Sequence, residues 1–358
     1  MRVDRPGPDA GGQVRMFARA IGVAVLPAAA AWAASATVAQ QPRFTETVEV
    51  ERVLVDARVV DRRGQPIRGL TARDFRVEVD GQPARLESVH WVSAGDPYPE
   101  GLDREAAGVP KSVAGRLIVF FFQKSLDPSR IGGLIKMQRR AARLLDTLGE
   151  EDRVAVVSFD SHLKLWVDFT NQRPRVRQII ERFVLHQDQP QPIRAFYFPS
   201  LAEHFDAAAA KQAATPERGL EVLARALTPL PGPKALVFLG WGLGEMRGRF
   251  GVRMIDDYEP ARRALIASRT SVFALDVTGA DAHSLEVGLE LTAQDTGGFY
   301  AKTHLFDHAA FTRLEGALAG HYVLAIVRPP GERPGSHRLS VKVSGHQGEV
   351  LAGASYEN

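Results

Sequence analysis

The sequence predicts a doubly wound, three-layer α/β domain with one antiparallel edge strand, plus a small β-sandwich-like module built from strands near both ends of the chain. Three observations predict it. From Arg116 onward, apolar runs alternate with amphipathic segments, which is the rhythm of βαβ units on a parallel sheet. One pair of strands in that stretch is separated only by Asp160-Ser161-His162, too short for a crossover, so that pair must be antiparallel. Before and after the central stretch, apolar residues recur with period two between turn residues, as in half-buried strands.

Taken in order, residues 48–60 place Val48 and Val50 on one face and then shift parity at Arg52 to Val53, Val55, Ala57 and Val59, as a strand with one bulge does. Arg63-Gly64 and Asp80-Gly81 are turn signals, and between them Phe75, Val77 and Val79 alternate with Arg76 and Glu78. An N-terminal β module is therefore expected over 44–93. Residues 94–115 mix Gly, Pro, Asp and Glu without a period and read as a linker.

The α/β domain is expected over 116–327. Residues 117–122 form a continuous apolar run, suited to a strand covered on both faces. A helix follows, with Ile131, Leu134, Ile135, Ala141, Ala142, Leu145 and Leu148 on one side and Gly149 as its C′ residue. Residues 154–159 and 163–167 make the antiparallel hairpin. Then come a helix at 175–184, a Pro-rich aromatic stretch at 187–199, helices to about Leu227, a strand at 235–239 and a helix at 260–268. A strand at 271–276, a helix at 285–294, a short strand at 299–300 and a helix at 308–318 complete this part. Residues 322–327, 337–343 and 350–354 return to strands, and 328–358 is expected to pack with the N-terminal module. No internal repeat is present.

The 358 residues correspond to roughly two domains. The chain has 45 Lys and Arg against 42 Asp and Glu; four arginines and two aspartates fall in the first 39 residues, leaving 41 against 40 in the remainder. A near-neutral chain without a local basic stripe argues against a nucleic-acid partner. Cysteine is absent, which removes disulfides, thiolate nucleophiles and Cys-based metal sites. Arg15 and Arg19 precede an apolar stretch from Ala20 to Trp32, and small residues follow up to Ala39. Residues 1–39 thus read as an export signal cleaved after Ala36 or Ala39, with an uncleaved membrane anchor as the alternative. The expected location is periplasmic or secreted, with membrane contact only through that segment.

The order of elements, the phrase Asp152-Arg153-Val154-Ala155-Val156-Val157-Ser158-Phe159-Asp160 and the Thr296-Gly297-Gly298 before the last sheet strand together resemble a von Willebrand factor type A domain. The stretch from Val59-Val60-Asp61-Arg62-Arg63-Gly64 through Leu70-Thr71-Ala72-Arg73-Asp74-Phe75, with Asp80-Gly81 after it, looks like the leader of exported bacterial VWFA-related proteins of the acidobacterial type. The resemblance covers residues 44–355. It implies a ligand site at the carboxyl ends of the sheet strands. In the family, an Asp-x-Ser-x-Ser, a Thr from a second loop and an Asp from a third loop hold Mg²⁺ or Mn²⁺ there.

This chain departs from that motif. The first loop reads Gln123-Lys124-Ser125-Leu126-Asp127, the second falls near Phe198-Pro199-Ser200, and the third reads Leu239-Gly240-Trp241-Gly242. Gln123 brings no charge, Lys124 adds a positive one, and Trp241 has no side-chain oxygen. No cofactor is expected; if Mg²⁺ binds at all, Ser125, Asp127 and Ser200 are its candidate ligands, although Asp127 before Pro128 is equally an N-cap. The ligand-binding rim expected here comprises Gln123, Lys124, Ser125, Asp127, Phe196, Tyr197, Phe198, Ser200 and Trp241, the aromatics serving either as partner anchors or as filler for the space of a missing ion.

Other constellations carry less. His304 and His308 stand four apart, but Asp307 looks like a helix N-cap and no third ligand is indicated. Gly240-Trp241-Gly242-Leu243-Gly244 lacks the spacing of a phosphate loop and reads as a flexible loop through Gly248 and Gly251 at the sheet edge. Asp160, Asp276 and Asp281 are carboxylates near strand ends that could share a crevice. The expectation is an exported, non-enzymatic protein that binds a protein or cell-surface ligand without depending on a metal. A metal-dependent adhesion protein and a hydrolase using the strand-end carboxylates are the alternatives.

Overall fold

A computed structural model of the chain describes residues 52–94, 115–182, 184–186, 199–248, 251–280, 283–328, 333–345 and 347–357. The expected signal at 1–39, the parity shift ahead of Arg52, most of the linker, and Phe196, Tyr197, Phe198 and Asp281 lie outside them. Four strands come first: β1 (Arg52–Val60), β2 (Phe75–Val79), β3 (Gln82–Pro83) and β4 (Leu86–Ser93). The central stretch begins with β5 (Leu117–Gln123), α1 (Pro128–Leu144), β6 (Arg153–Phe159), β7 (Leu163–Thr170), α2 (Arg173–Arg182), α3 (Ala207–Gln212) and α4 (Pro216–Leu227). It continues through β8 (Lys234–Gly240), β9 (Glu245–Arg247), β10 (Gly251–Arg253), α5 (Tyr258–Ala267), β11 (Thr270–Asp276), α6 (Glu286–Asp295), β12 (Tyr300–Lys302) and α7 (Asp307–Leu318). β13 (Gly320–Val327), β14 (Ser336–Val343), β15 (Glu349–Ala352) and β16 (Ser355–Glu357) follow.

The central sheet has six strands in the order β12-β11-β8-β5-β6-β7. All neighbours are parallel except β6 and β7, the hairpin whose three-residue turn excluded a crossover. Burial on both faces explains the unbroken apolar runs. In β5, Ile118, Phe120 and Phe122 enter the core beneath α1, α2 and α7, while Leu117, Val119 and Phe121 enter the core beneath α3, α4, α5 and α6. Across the second face Phe121 stacks on Phe238 of β8 at 4.8 Å between ring centres. Where backbone passes close to backbone, glycine is required: a Cβ on Gly133 of α1 would stand 1.8 Å from the Val277 carbonyl oxygen after β11.

Strands from both ends of the described chain form two four-stranded sheets, β15-β1-β13-β4 and β16-β14-β2-β3. Their shared core includes Val55, Phe75, Val77, Tyr322, Leu324 and Leu339. Buried Tyr322 is its hub, stacking edge-on against Phe75 and Trp91 while its hydroxyl donates to the Ile67 carbonyl and accepts from the Leu70 amide. This fixes the loop before β2.

Several local expectations need correction. β13 pairs with β1 and β4, not with the central sheet, so the α/β part ends ahead of it rather than at Val327. The strand expected at 350–354 is β15, which ends at Ala352; after Gly353-Ala354 the chain enters β16, which joins the other sheet. α1 passes into a 3₁₀ turn at Leu145–Thr147, and Gly149 is not in the left-handed region; its amide donates to the Asp152 carboxylate. The glycine-rich loop follows a central strand, not an edge, and β9 and β10 after it pair antiparallel. Asp307 sits in the first turn of α7, after the cap residue Phe306, and its carboxylate meets Lys136 at 3.1 Å and Arg140 at 2.5 Å. Among the described residues, no helix is long and apolar enough to cross a membrane.

Candidate functional site

The parallel strands of the central sheet deliver their last residues to one rim, and Gln123 and Gly240 meet there as ends of the adjacent strands β5 and β8. Gln123 is 1 % exposed. Its amide closes the rim: Nε2 donates to the Gly242 carbonyl at 2.8 Å, and Oε1 accepts from the Trp241 amide at 2.8 Å and the Gly242 amide at 3.2 Å. Gly240 leaves room for this, since a Cβ there would stand 2.6 Å from Gln123 Oε1. The Trp241 indole turns back, donating from Nε1 to the Lys124 carbonyl at 3.2 Å, and the Arg130 guanidinium lies over its ring at 3.8 Å. Trp241 is thus partly buried and engaged on both sides rather than free as an anchor.

Beside this clamp, the turn between β6 and β7 holds Asp160. Its carboxylate meets Lys164 Nζ at 2.6 Å and Lys124 Nζ at 3.4 Å and accepts the Ser161 amide. Burial opposes its ionisation, but the Lys164 and Ser161 hydrogen bonds win and hold it far below the usual carboxylate range. Ser125 Oγ accepts the Asp127 amide at 3.1 Å. Asp127 caps α1 by accepting from the Ser129 amide at 2.9 Å and hydroxyl at 2.7 Å, which lowers its pKa. The N-cap reading of Asp127 is the one that the geometry supports.

An open groove of about 1150 Å³ runs along this edge. Lys124, Lys164, Lys211, His162 and His186 line it with Asp160 as the acidic member, and Leu126, Ile131, Ile135 and Leu185 supply apolar surface. Leu126 is 94 % exposed.

Ser200 is elsewhere. It is buried, and its hydroxyl donates to Asp168 Oδ2 at 2.6 Å, while the Leu201 amide donates to Oδ1. Asp168 lies on β7 between the residues that pair with Val156 and Val154, toward the start of β6, so Ser200 belongs to the amino-end half of the sheet and is absent from the rim. Together these facts test the fit of Mg²⁺ or Mn²⁺, which require several hard oxygens converging on one point. Gln123 Oε1 is already engaged twice, one Asp127 oxygen is committed to α1, the third loop offers an indole, and Ser200 is remote. The residues do not fit that ion.

Asp160 and Asp276 do not share a crevice either. They end β6 and β11, with β5 and β8 between them, about 14 Å apart at roughly 4.8 Å per strand. Asp276 instead belongs to a cluster that the sequence reading missed. His283 Nε2 stands 2.7 Å from Asp276 Oδ2, the Tyr300 hydroxyl donates to the same oxygen at 2.8 Å, and Lys302 Nζ lies 2.9 Å from Glu286 Oε2. Asp276, His283 and Glu286 offer atoms within 4.8 Å of one another. Lys302 and Tyr300 already satisfy the two carboxylates: burial works against Glu286 ionising, yet Lys302 holds its pKa down. Burial and the Asp276 charge push the Tyr300 hydroxyl up, keeping it a donor. The only sequence signal was three chelating residue types in one short stretch; their irregular spacing matches no motif. His304 and His308 join no group of three metal-binding side chains among the described residues.

Comparisons with known proteins return no matching family and no matching curated protein. Among solved structures, the chain is similar to the conserved hypothetical protein BatB from Bacteroides thetaiotaomicron, at 16 % identity and a TM-score of 0.36, over 56 % of this chain and 97 % of that one. A von Willebrand factor type A protein from Catenulispora acidiphila is 12 % identical with a TM-score of 0.39, covering 68 % of this chain and 66 % of that one. An aerotolerance-related membrane protein from Bacteroides fragilis is 15 % identical with a TM-score of 0.37, covering 57 % of this chain and 98 % of that one. At these values the neighbours say nothing of ligands. It is the strand order, with five parallel strands and one antiparallel edge, that gives the central part of this chain a von Willebrand A-type fold.

Proposed function

We propose that this chain is a non-enzymatic binding protein that captures an acidic, partly apolar polypeptide segment in the groove beside the Gln123–Trp241 clamp, without a metal ion. We further propose, on the charge and length pattern of residues 1–39, that it acts outside the cytoplasm. The observation that carries the reading is the Gln123 amide: it spends its oxygen and nitrogen on the Trp241–Gly242 backbone where a coordinating carboxylate would otherwise stand. A rim closed this way presents side chains, not an ion, to a ligand.

Charge complementarity selects the ligand class. Three lysines face one aspartate, whose charge Lys164 and Lys124 already answer. An anionic segment gains from that excess, and Leu126, Ile131 and Leu185 offer apolar contact to its uncharged side chains.

The test is fluorescence anisotropy with a synthetic peptide alternating Glu and Leu against its Lys and Leu counterpart. The acidic peptide should bind, more weakly as salt rises, equally with EDTA or Mg²⁺, and about tenfold more weakly to a Lys211→Glu, Leu126→Ser double variant. Equal binding of both peptides, or a requirement for Mg²⁺, would refute the reading.

A further inference from the structure

A second cavity lies at the opposite, amino-terminal end of the central sheet, where β5, β6 and β8 begin and where the sandwich strands β1 and β13 cross behind them. Its enclosed volume is about 50 Å³, and its wall includes Arg58, Arg116, Arg153, Lys234 and His321. One water needs ~10–15 Å³ of such space, so the cavity holds a group larger than a single water.

The charges around it do not balance. Arg116 has its own counterion in Asp152. Asp56 is taken by Arg269, which grips both of its oxygens at 3.0 and 2.6 Å. Arg58 and Lys234 are 5 % and 3 % exposed and form no salt bridge among the described residues, although Asp56 is near enough to favour the charge of both. Arg58 donates to the Ala317 carbonyl at 3.1 Å and the Ser271 hydroxyl at 2.8 Å, and Lys234 donates to the carbonyls of Leu230 and Ser268 at 2.5 and 3.0 Å. Buried Arg153 Nε and His321 Nε2 have no hydrogen-bond partner, the latter only approaching Asp56 at 3.5 Å. Neutral dipoles solvate these cations but do not cancel them, and buried unpaired charge is costly. We propose that the cavity is a binding site for one small oxyanion of phosphate or sulfate size, held by Arg58, Arg153 and Lys234 beside His321. Burial pulls Arg58 down to about 10 and Lys234 to about 8, so both keep their charge at neutral pH and both gain from an anion.

The experiment is calorimetric titration of the full chain with sodium sulfate and with sodium phosphate at pH 7, against sodium chloride at matched ionic strength. Saturable oxyanion binding is expected, at least tenfold tighter than chloride and weakened about tenfold or more by Lys234→Met and by Arg153→Gln. Arg153 is only partly buried, so that variant keeps the test open where Lys234→Met fails to fold. No saturable heat with either oxyanion, chloride binding as tight, or unchanged affinity in Arg153→Gln would overturn the proposal.

Discussion

The two ends of the central sheet solve the same electrostatic problem in opposite ways. At the carboxyl end the carboxylates are answered locally, Asp160 by Lys164 and Lys124 and Glu286 by Lys302, and the space between β5 and β8 is closed by the neutral amide of Gln123. At the amino end Arg58 and Lys234 are buried with no salt bridge to a carboxylate among the described residues, Asp152 pairs with Arg116, and Asp56 is gripped by Arg269 while also facing Arg58 and His321. The excess positive charge at the carboxyl end faces an open groove, whereas at the amino end it is buried.

Breaking the amino end should cost the most. Asp56→Asn removes the one carboxylate facing Arg269, Arg58 and His321, and should destabilise the fold by about 3–5 kcal/mol in urea unfolding; a loss under ~1 kcal/mol would show that this end is not electrostatically held. Next comes the pH response of His321, whose pKa burial lowers from 6.5 to about 4, Asp56 only partly opposing. Between those values the unfolded chain takes up a proton that the native ring refuses. Stability should thus fall as pH drops through that window, by on the order of 3 kcal/mol. In His321→Gln the dependence across pH 4 to 6.5 should flatten. At the carboxyl end Gln123→Ala removes three hydrogen bonds and should cost about 1–3 kcal/mol in thermal unfolding. Smallest is Asp127→Ala, which removes only the exposed cap of α1 and should lower Tm less than Gln123→Ala does.

Periodicity and connection length made the fold legible. The apolar run of β5 needs two covered faces, and the short Asp160-Ser161-His162 turn admits only a hairpin. What escaped was set by tertiary contacts. Nothing local tells Gly353-Ala354 to hand the chain from one sheet to the other, and β15 and β16 are too short to show two periods. At the site, the amide of Gln123 and the indole of Trp241 at the strand ends were visible, but the indole folding back under Arg130 was not. Ser200 was misplaced because residues 187–199 carry no periodic signal that would say how far down the edge of β7 the chain travels. The amino-end cavity was invisible for another reason: Arg58, Arg153, Lys234 and His321 come from four strands spread over most of the chain, and only topology brings them together.

The central proposal is that the carboxyl rim, closed by the Gln123 amide, binds its ligand without an ion. Calorimetric titration of the wild-type chain with Mg²⁺ and Mn²⁺ tests it most directly. The account predicts no saturable heat at sub-millimolar concentrations; saturable binding in that range, abolished by Asp127→Ala, would contradict it.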